Sequence, residues 1–302
     1  MKTIGVLGVP SSAGARREGQ GRAPQAFRQA GLLDQLRSAG AAVRDYGNLP
    51  ETRYTPDLAH PRAQNAGLVQ EVASRVATHV EGMIQDGATP VVLGGDCTLT
   101  LGVVAGMLRH APLRLIYFDG DADLKTPQDS TSGILDGMGL AHLLGQGLEE
   151  LTRLGPRYPL LSEDEVLLFG YDRESRWLGA VELERLGQSA ITAYSVNQLR
   201  GHAGEMARTA LERFERRGVP LLIHFDVDVV DFHDFPVADV PHHGGLRFEE
   251  AFEALEVFVA SPSFAGLVVT EFNVDRDPDG AMMQRFVNVL VRVLRHAPRS
   301  SI

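Results

Sequence analysis

The chain has 302 residues, 44% apolar and 23% charged, so it can bury a substantial core, and its composition excludes disorder. Its 29 Lys and Arg against 39 Asp and Glu leave a formal charge of −10, spread without any block of like charge, which argues against nucleic acid or an anionic membrane as partner. A single cysteine, Cys97, rules out an internal disulfide framework, and no apolar stretch reaches the length of a membrane span.

The first short apolar run, Thr3–Leu7, follows directly on Met1-Lys2, so a cytoplasmic protein without a leader is expected. A second run covers Ala42–Tyr46. Val69, Ala73, Val76, Val80 and Met83 then recur at three- and four-residue spacing, which predicts one apolar helical face lying on a sheet. The run Pro90–Leu93 breaks at Gly94-Gly95, where the backbone can turn sharply, and presents Asp96 and Cys97. Leu113–Phe118 leads into Asp119-Gly120-Asp121-Ala122-Asp123, and Glu165–Phe169 and Ile191–Tyr194 follow. Ser195-Val196-Asn197-Gln198 has the form of a capping box and predicts the start of the helix that precedes Phe214. Pro220–Phe225 leads into Asp226-Val227-Asp228, and Ala265–Thr270 into Glu271. Met283, Phe286, Leu290 and Val293 mark a last amphipathic helix. This alternation of strands and helices predicts an α/β protein with a parallel sheet. No repeat or linker divides it, so residues 1–302 are expected to form one domain. Periodicity does not separate an eight-stranded barrel from an open doubly wound sheet, but both bind ligands at the carboxyl ends of their strands.

The acidic clusters fall at those ends. Alternate residues of an extended segment point the same way, so Asp119, Asp121 and Asp123 can converge, as can Asp226 and Asp228. Five carboxylates at one sheet margin repel one another and raise their own pKa values unless cations neutralise them. Two divalent ions held by bridging carboxylates would offset that charge and acidify a shared water toward neutrality. The same residues admit other readings. An Asp pair at a strand end also serves as a cap. An EF-hand loop is excluded by Leu124 at its sixth position and Ser130 at its twelfth. A phosphotransfer site can begin with Asp-x-Asp, but it leaves Asp226-Val227-Asp228 unexplained.

The chain resembles the arginase–agmatinase, or ureohydrolase, family. The resemblance is carried by Gly8-Val9-Pro10, Gly21, the run from Pro24 to Leu33, Asp45-Tyr46-Gly47-Asn48-Leu49-Pro50 and Gly94-Gly95-Asp96. It continues from Asp119 to Gly137 and through Phe225-Asp226-Val227-Asp228, Gly244-Gly245-Leu246 and Glu271-Phe272-Asn273. It implies a single three-layer α/β domain with an open, mostly parallel eight-stranded sheet flanked by helices. It implies a homo-oligomer, trimer or hexamer, with a dinuclear manganese site and a metal-bridging hydroxide that hydrolyses a guanidino or amidino C–N bond. By position, Asp119 and Asp226 resemble the carboxylates that bridge both metals, and Asp123 and Asp228 those that bind one each. Asp123 would also carry the proton to the leaving amine, and Glu271 would receive the guanidinium, whose planar donor fork suits a carboxylate.

The departures fall inside the site. Cys97, Asp121 and Asp136 stand where most relatives have His. Cys97 and Asp121 remain expected metal ligands, and Asp136 an acid–base group if burial or neighbouring charge raises its pKa. A thiolate admits zinc, iron, cobalt or nickel beside manganese. Lys125 and Ile134 stand where arginine-hydrolysing relatives have Asn, while Ser130 and Ser132 fit the substrate loop. Lys125 could receive a substrate carboxylate, or neutralise the aspartates of a relative that has lost its metals and its activity. His242, His243 and His233 lie on loops near the expected site but carry little weight as ligands. His224 reads as a satisfied core or interface residue, and His60, His79 and His110 as surface. Trp177, Arg173 and Arg176 fit either a pocket rim or ordinary packing.

Overall fold

A computed structural model describes residues 3–298. All eight apolar runs are strands, with bounds within two residues of those expected: β1 (Thr3–Gly8), β2 (Val43–Asn48), β3 (Ala88–Leu93), β4 (Arg114–Phe118), β5 (Val166–Tyr171), β6 (Thr192–Ser195), β7 (Leu221–Asp226) and β8 (Phe264–Thr270). They form one sheet in the order β2-β1-β3-β8-β7-β4-β5-β6, and every pairing is parallel. β2 and β6 are edges, so the sheet is open. That settles the choice between barrel and open sheet.

Helices cover both faces, and β3, β4, β5 and β7 are buried at every residue, which is why they read as unbroken apolar runs rather than alternating ones. Within β4, Leu115 and Tyr117 join the apolar layer on one face, and Ile116 and Phe118 that on the other. The second layer is strongly aromatic, with Phe118, Phe169, Phe225, Phe252, Phe258 and Phe286 meeting mostly edge to face.

The stripe from Val69 to Met83 is buried on the helix Ala66–Gln85, and that of Met283, Phe286, Leu290 and Val293 on the helix Ala281–Leu294. A third helix, Leu99–Leu108, is buried at all of its residues and packs against Ala66–Gln85. Gly102 and Gly106 make that approach possible, because a Cβ at either position would collide with the carbonyl of Ala73 or Ala77.

One local expectation needs correction. The capping box at Ser195 forms, but it opens only the short turn Val196–Leu199. The helix ending at Phe214 starts afresh at Ala203, because Gly201, with φ 83°, turns the chain out of the helical path between them. None of the described helices is long and apolar enough to cross a membrane.

Candidate active site

Sheet order explains why residues far apart in the chain converge. β3, β8, β7 and β4 are consecutive neighbours, and each delivers acidic or sulfur side chains at its carboxyl end. Cys97 follows β3, Glu271 follows β8, Asp226 and Asp228 close β7, and Asp119 to Asp123 follow β4. Two of these residues have left-handed backbones: Asp123 with φ 50° and Glu271 with φ 65°. Asn65 is the only other non-glycine with positive φ among the described residues. Such strain persists only where surrounding contacts impose it, and it concentrates at functional sites.

The carboxylates interlock through short hydrogen bonds. Asp119 Oδ1 accepts from the Asp121 N–H at 2.7 Å, and its Oδ2 lies 3.3 Å from His224 Nε2. Asp226 Oδ1 accepts from the Asp228 N–H at 2.8 Å, and its Oδ2 accepts from the Cys97 thiol at 2.6 Å. Asp228 Oδ1 accepts from the Gly120 N–H at 2.9 Å. The Tyr117 hydroxyl donates to Asp123 Oδ2 at 2.6 Å, and the Cys97 N–H to Asp136 Oδ1 at 2.7 Å. Asp96, by contrast, is spent on Ser11, Gly14 and Thr98 and anchors the loop behind the site.

Asp119, Asp123, Asp226 and Glu271 are buried, and Asp136 keeps only part of its solvent contact. Burial first, then mutual repulsion, pushes all five carboxyls well above the usual range, although Tyr117 opposes the rise at Asp123 and the Cys97 thiol opposes it at Asp226. Burial, then Asp226, Asp136 and Glu271, raises the Cys97 thiol as well. Among the described residues no Lys or Arg pairs with Asp119, Asp121, Asp123, Asp136, Asp226, Asp228 or Glu271; the basic partners are His224 and His242.

These residues fit a pair of divalent ions. Cys97, Asp119, His224 and Asp226 bring donor atoms within 4.8 Å of one another, as do Cys97, Asp136 and Glu271, and Asp121, Asp228 and His242. Asp121 Oδ1 and both ring nitrogens of His242 are buried without a hydrogen-bond partner. Unsatisfied buried donors and acceptors around a carboxylate nest are what cation ligands look like before the cation is counted.

The remaining expected residues are placed differently. Lys125 does not reach the aspartates: its Nζ donates to the Trp177 carbonyl at 2.5 Å and lies 3.3 Å from the buried Glu182 carboxylate. Ser130 and Ser132 close a tight turn, their hydroxyls accepting from the N–H groups of Gly133 and Ile134. Trp177 is 41% exposed under the Arg176 guanidinium, and Arg173 is exposed. His60, His79, His110, His233 and His243 are at the surface. His224 is a satisfied core residue, stacked on Tyr117 and bonded to Thr100, and burial alone lowers its pKa to about 3.

Three further residues stand at the site. Tyr117 lies inside β4, and the sequence carries no sign of a role there. Asp172 follows β5 at the same sheet margin, and the His242 imidazolium beside it holds its carboxyl below the ordinary value. His242 itself is 2% exposed, 3.5 Å from both Asp121 and Asp228 and 3.8 Å from Asp172. Burial disfavours its charged form, but Asp228, Asp121 and Asp172 overcome that and raise its pKa far above 6.5.

The family model "Arginase family" matches residues 2–296. The arginase of Bacillus caldovelox is 30% identical over 279 residues, covering 90% of this chain and 91% of that protein. Arginase-1 of Sus scrofa is 29% identical over 300 residues, covering 97% and 92%. The crystal structure of arginase from Bacillus cereus superposes with a TM-score of 0.88 at 27% identity, covering 99% of this chain and 100% of that one.

Proposed function

Since the chain belongs to the arginase family, we propose that it is a metal-dependent hydrolase that cleaves the C–N bond of a linear guanidino or amidino compound. The observation that carries this reading is the buried carboxylate nest, which has no Lys or Arg counterion among the described residues. At neutral pH it is sustained in ionised form only by multivalent cations.

In this reading Asp119, Asp123, Asp226 and Asp228 would hold the ions, with Cys97 and Asp121 completing the donor set. Divalent ions held there would supply Lewis-acid polarisation and water acidified toward neutral pH. Manganese suits the oxygen-rich donors, and zinc, iron, cobalt or nickel the sulfur of Cys97. Glu271 accepts the planar guanidinium and orients its central carbon. The strained backbones of Asp123 and Glu271 fix both carboxylates before substrate arrives. Asp123, steadied by the Tyr117 hydroxyl, passes a proton to the leaving amine, and Asp136, its pKa raised, can exchange protons with solvent. Lys125, with Ser130 and Ser132, belongs to the segment that the resemblance makes the substrate loop, and a lysine there would receive the carboxylate of a guanidino acid. A homo-oligomer, trimer or hexamer, follows from the family resemblance.

The test is metal content together with product release. Elemental analysis after incubation with Mn, Co, Ni, Zn or Fe is expected to give about two ions per chain. A urea- and ammonia-release screen over arginine, agmatine, guanidinobutyrate, guanidinopropionate and formiminoglutamate, run with each metal, is expected to find turnover. Asp119→Asn and Asp226→Asn should lose both ions and the activity. No bound metal under any condition would instead identify a non-catalytic relative.

A further inference from the structure

We propose that His242 is a metal ligand of this site, completing one of the two ion positions together with Asp121 and Asp228. The inference rests on the dinuclear reading above and assigns a donor that comes from a different part of the chain.

Its basis is geometric. The imidazole comes from the loop between the turn Val227–Val229 and the helix Phe248–Val259 and reaches into the β4 and β7 strand ends. Its Nε2 stands 3.5 Å from Asp121 Oδ2 and 3.5 Å from Asp228 Oδ2. Those separations are too long for hydrogen bonds, and both ring nitrogens lack a partner although the residue is 2% exposed. They do suit one shared ion. Donors about 2.1 Å from a metal lie about 3.4 Å apart in a tetrahedral arrangement. The other ring nitrogen, Nδ1, faces Asp172 Oδ2 at 3.8 Å, the arrangement in which a carboxylate behind a ligating His fixes its tautomer and orientation.

The surroundings hold the imidazole in place. The His242 carbonyl accepts from the Phe232 N–H at 2.9 Å, and the Asp231 carboxylate accepts from the Gly244 N–H at 2.5 Å, so the loop is tied down on both sides of the ring. Gly120 leaves the space the ring needs: a Cβ there would come within 2.9 Å of both His242 Cδ2 and Asp228 Oδ1. Where relatives carry an imidazole at position 121, this chain carries a carboxylate and brings an imidazole into the same cluster from another loop. The donor set keeps its nitrogen and gains an anionic oxygen.

Cobalt(II) titration of the full-length, metal-depleted chain tests this, read by elemental analysis after gel filtration and by the visible absorption of the bound ion. The wild type is expected to take up two ions. His242→Ala should keep one and weaken the other by ~100-fold or more, since losing even an outer partner of a ligating His costs about 10- to 100-fold. Added imidazole should restore the second ion and its spectrum, which shows that the variant is folded. Asp172→Asn should weaken the same ion by about tenfold, and His243→Ala, at the exposed neighbour, should change nothing. Two ions bound by His242→Ala with wild-type affinity and spectrum would overturn the assignment while leaving the dinuclear site intact. A wild type that binds no cobalt would remove both.

Discussion

Tyr117 is a fully buried side chain whose hydroxyl donates to Asp123 at 2.6 Å while its ring stacks on His224, 4.2 Å away. Tyr117→Phe keeps the stack and strips a buried carboxyl of its donor. Urea unfolding should therefore show a loss of about 1–3 kcal/mol, the cost of an unsatisfied buried polar group. Unchanged stability would mean that Asp123 finds another partner. Lys125 poses a different question, because it is already engaged by Glu182, whose carboxyl burial raises and whose rise the Gly179 N–H and Lys125 oppose. If Lys125 also receives a substrate carboxylate, Lys125→Met should raise KM at least tenfold for guanidino acids and leave agmatine, which has no carboxylate, untouched. Equal effects on both substrates would restrict Lys125 to fastening Glu182. The aspartates of the site were legible in the sequence because they fall in two clusters, one at the end of β4 and one at the end of β7, and repeat with period two. Tyr117, Asp172 and His242 were not, since their relation to those aspartates depends on which strands are neighbours and how one loop folds back.

Strands and helices carry the site as rigid supports, and their close contacts are open to test. Gly102, in the helix Leu99–Leu108, has the Ala73 backbone of the neighbouring helix where its Cβ would be, whereas Gly82, in the helix Ala66–Gln85, has nothing within 4 Å. Gly102→Ala should cost about 1–3 kcal/mol by overpacking. Gly82→Ala should gain up to about 1 kcal/mol from helix propensity. Opposite shifts of the urea midpoint check both, and two shifts of the same sign would refute the packing argument. Element positions were legible from the sequence because β-branched apolar runs and helical stripes are local signals. Strand order was not, as it follows from long-range packing that periodicity does not encode. The helix Leu99–Leu108 left no stripe to read, being apolar on every side, and the box at Ser195 marked a true cap but the wrong helix, because Gly201 breaks the chain after one turn.

For the whole molecule, the nest ties stability to pH and to metal in opposite senses. In the metal-depleted chain Asp119, Asp123, Asp226, Asp136 and Glu271 keep their protons to higher pH than they do unfolded, where carboxyls ionise near pH 4. The folded state then binds more protons than the unfolded one, so stability is greatest at mildly acid pH and falls as pH rises. His242 acts in the same sense: its raised pKa contributes stability below its unfolded value, which is lost as pH climbs toward the folded one. Asp129, Asp172 and Asp231, held below the ordinary carboxylate value, act the other way, and their contribution disappears only under strongly acid conditions. Thermal unfolding of the metal-depleted protein should therefore show Tm falling between pH 5 and pH 8, with each proton retained over one pH unit worth about 1.4 kcal/mol. Saturating divalent metal should reverse the slope, because ligands must be deprotonated to bind and each site filled at a hundredfold excess over Kd adds about 2.7 kcal/mol. Parallel Tm profiles with and without metal would mean that the carboxylates are ionised without an ion among them, and the physical basis for a metal site would be gone.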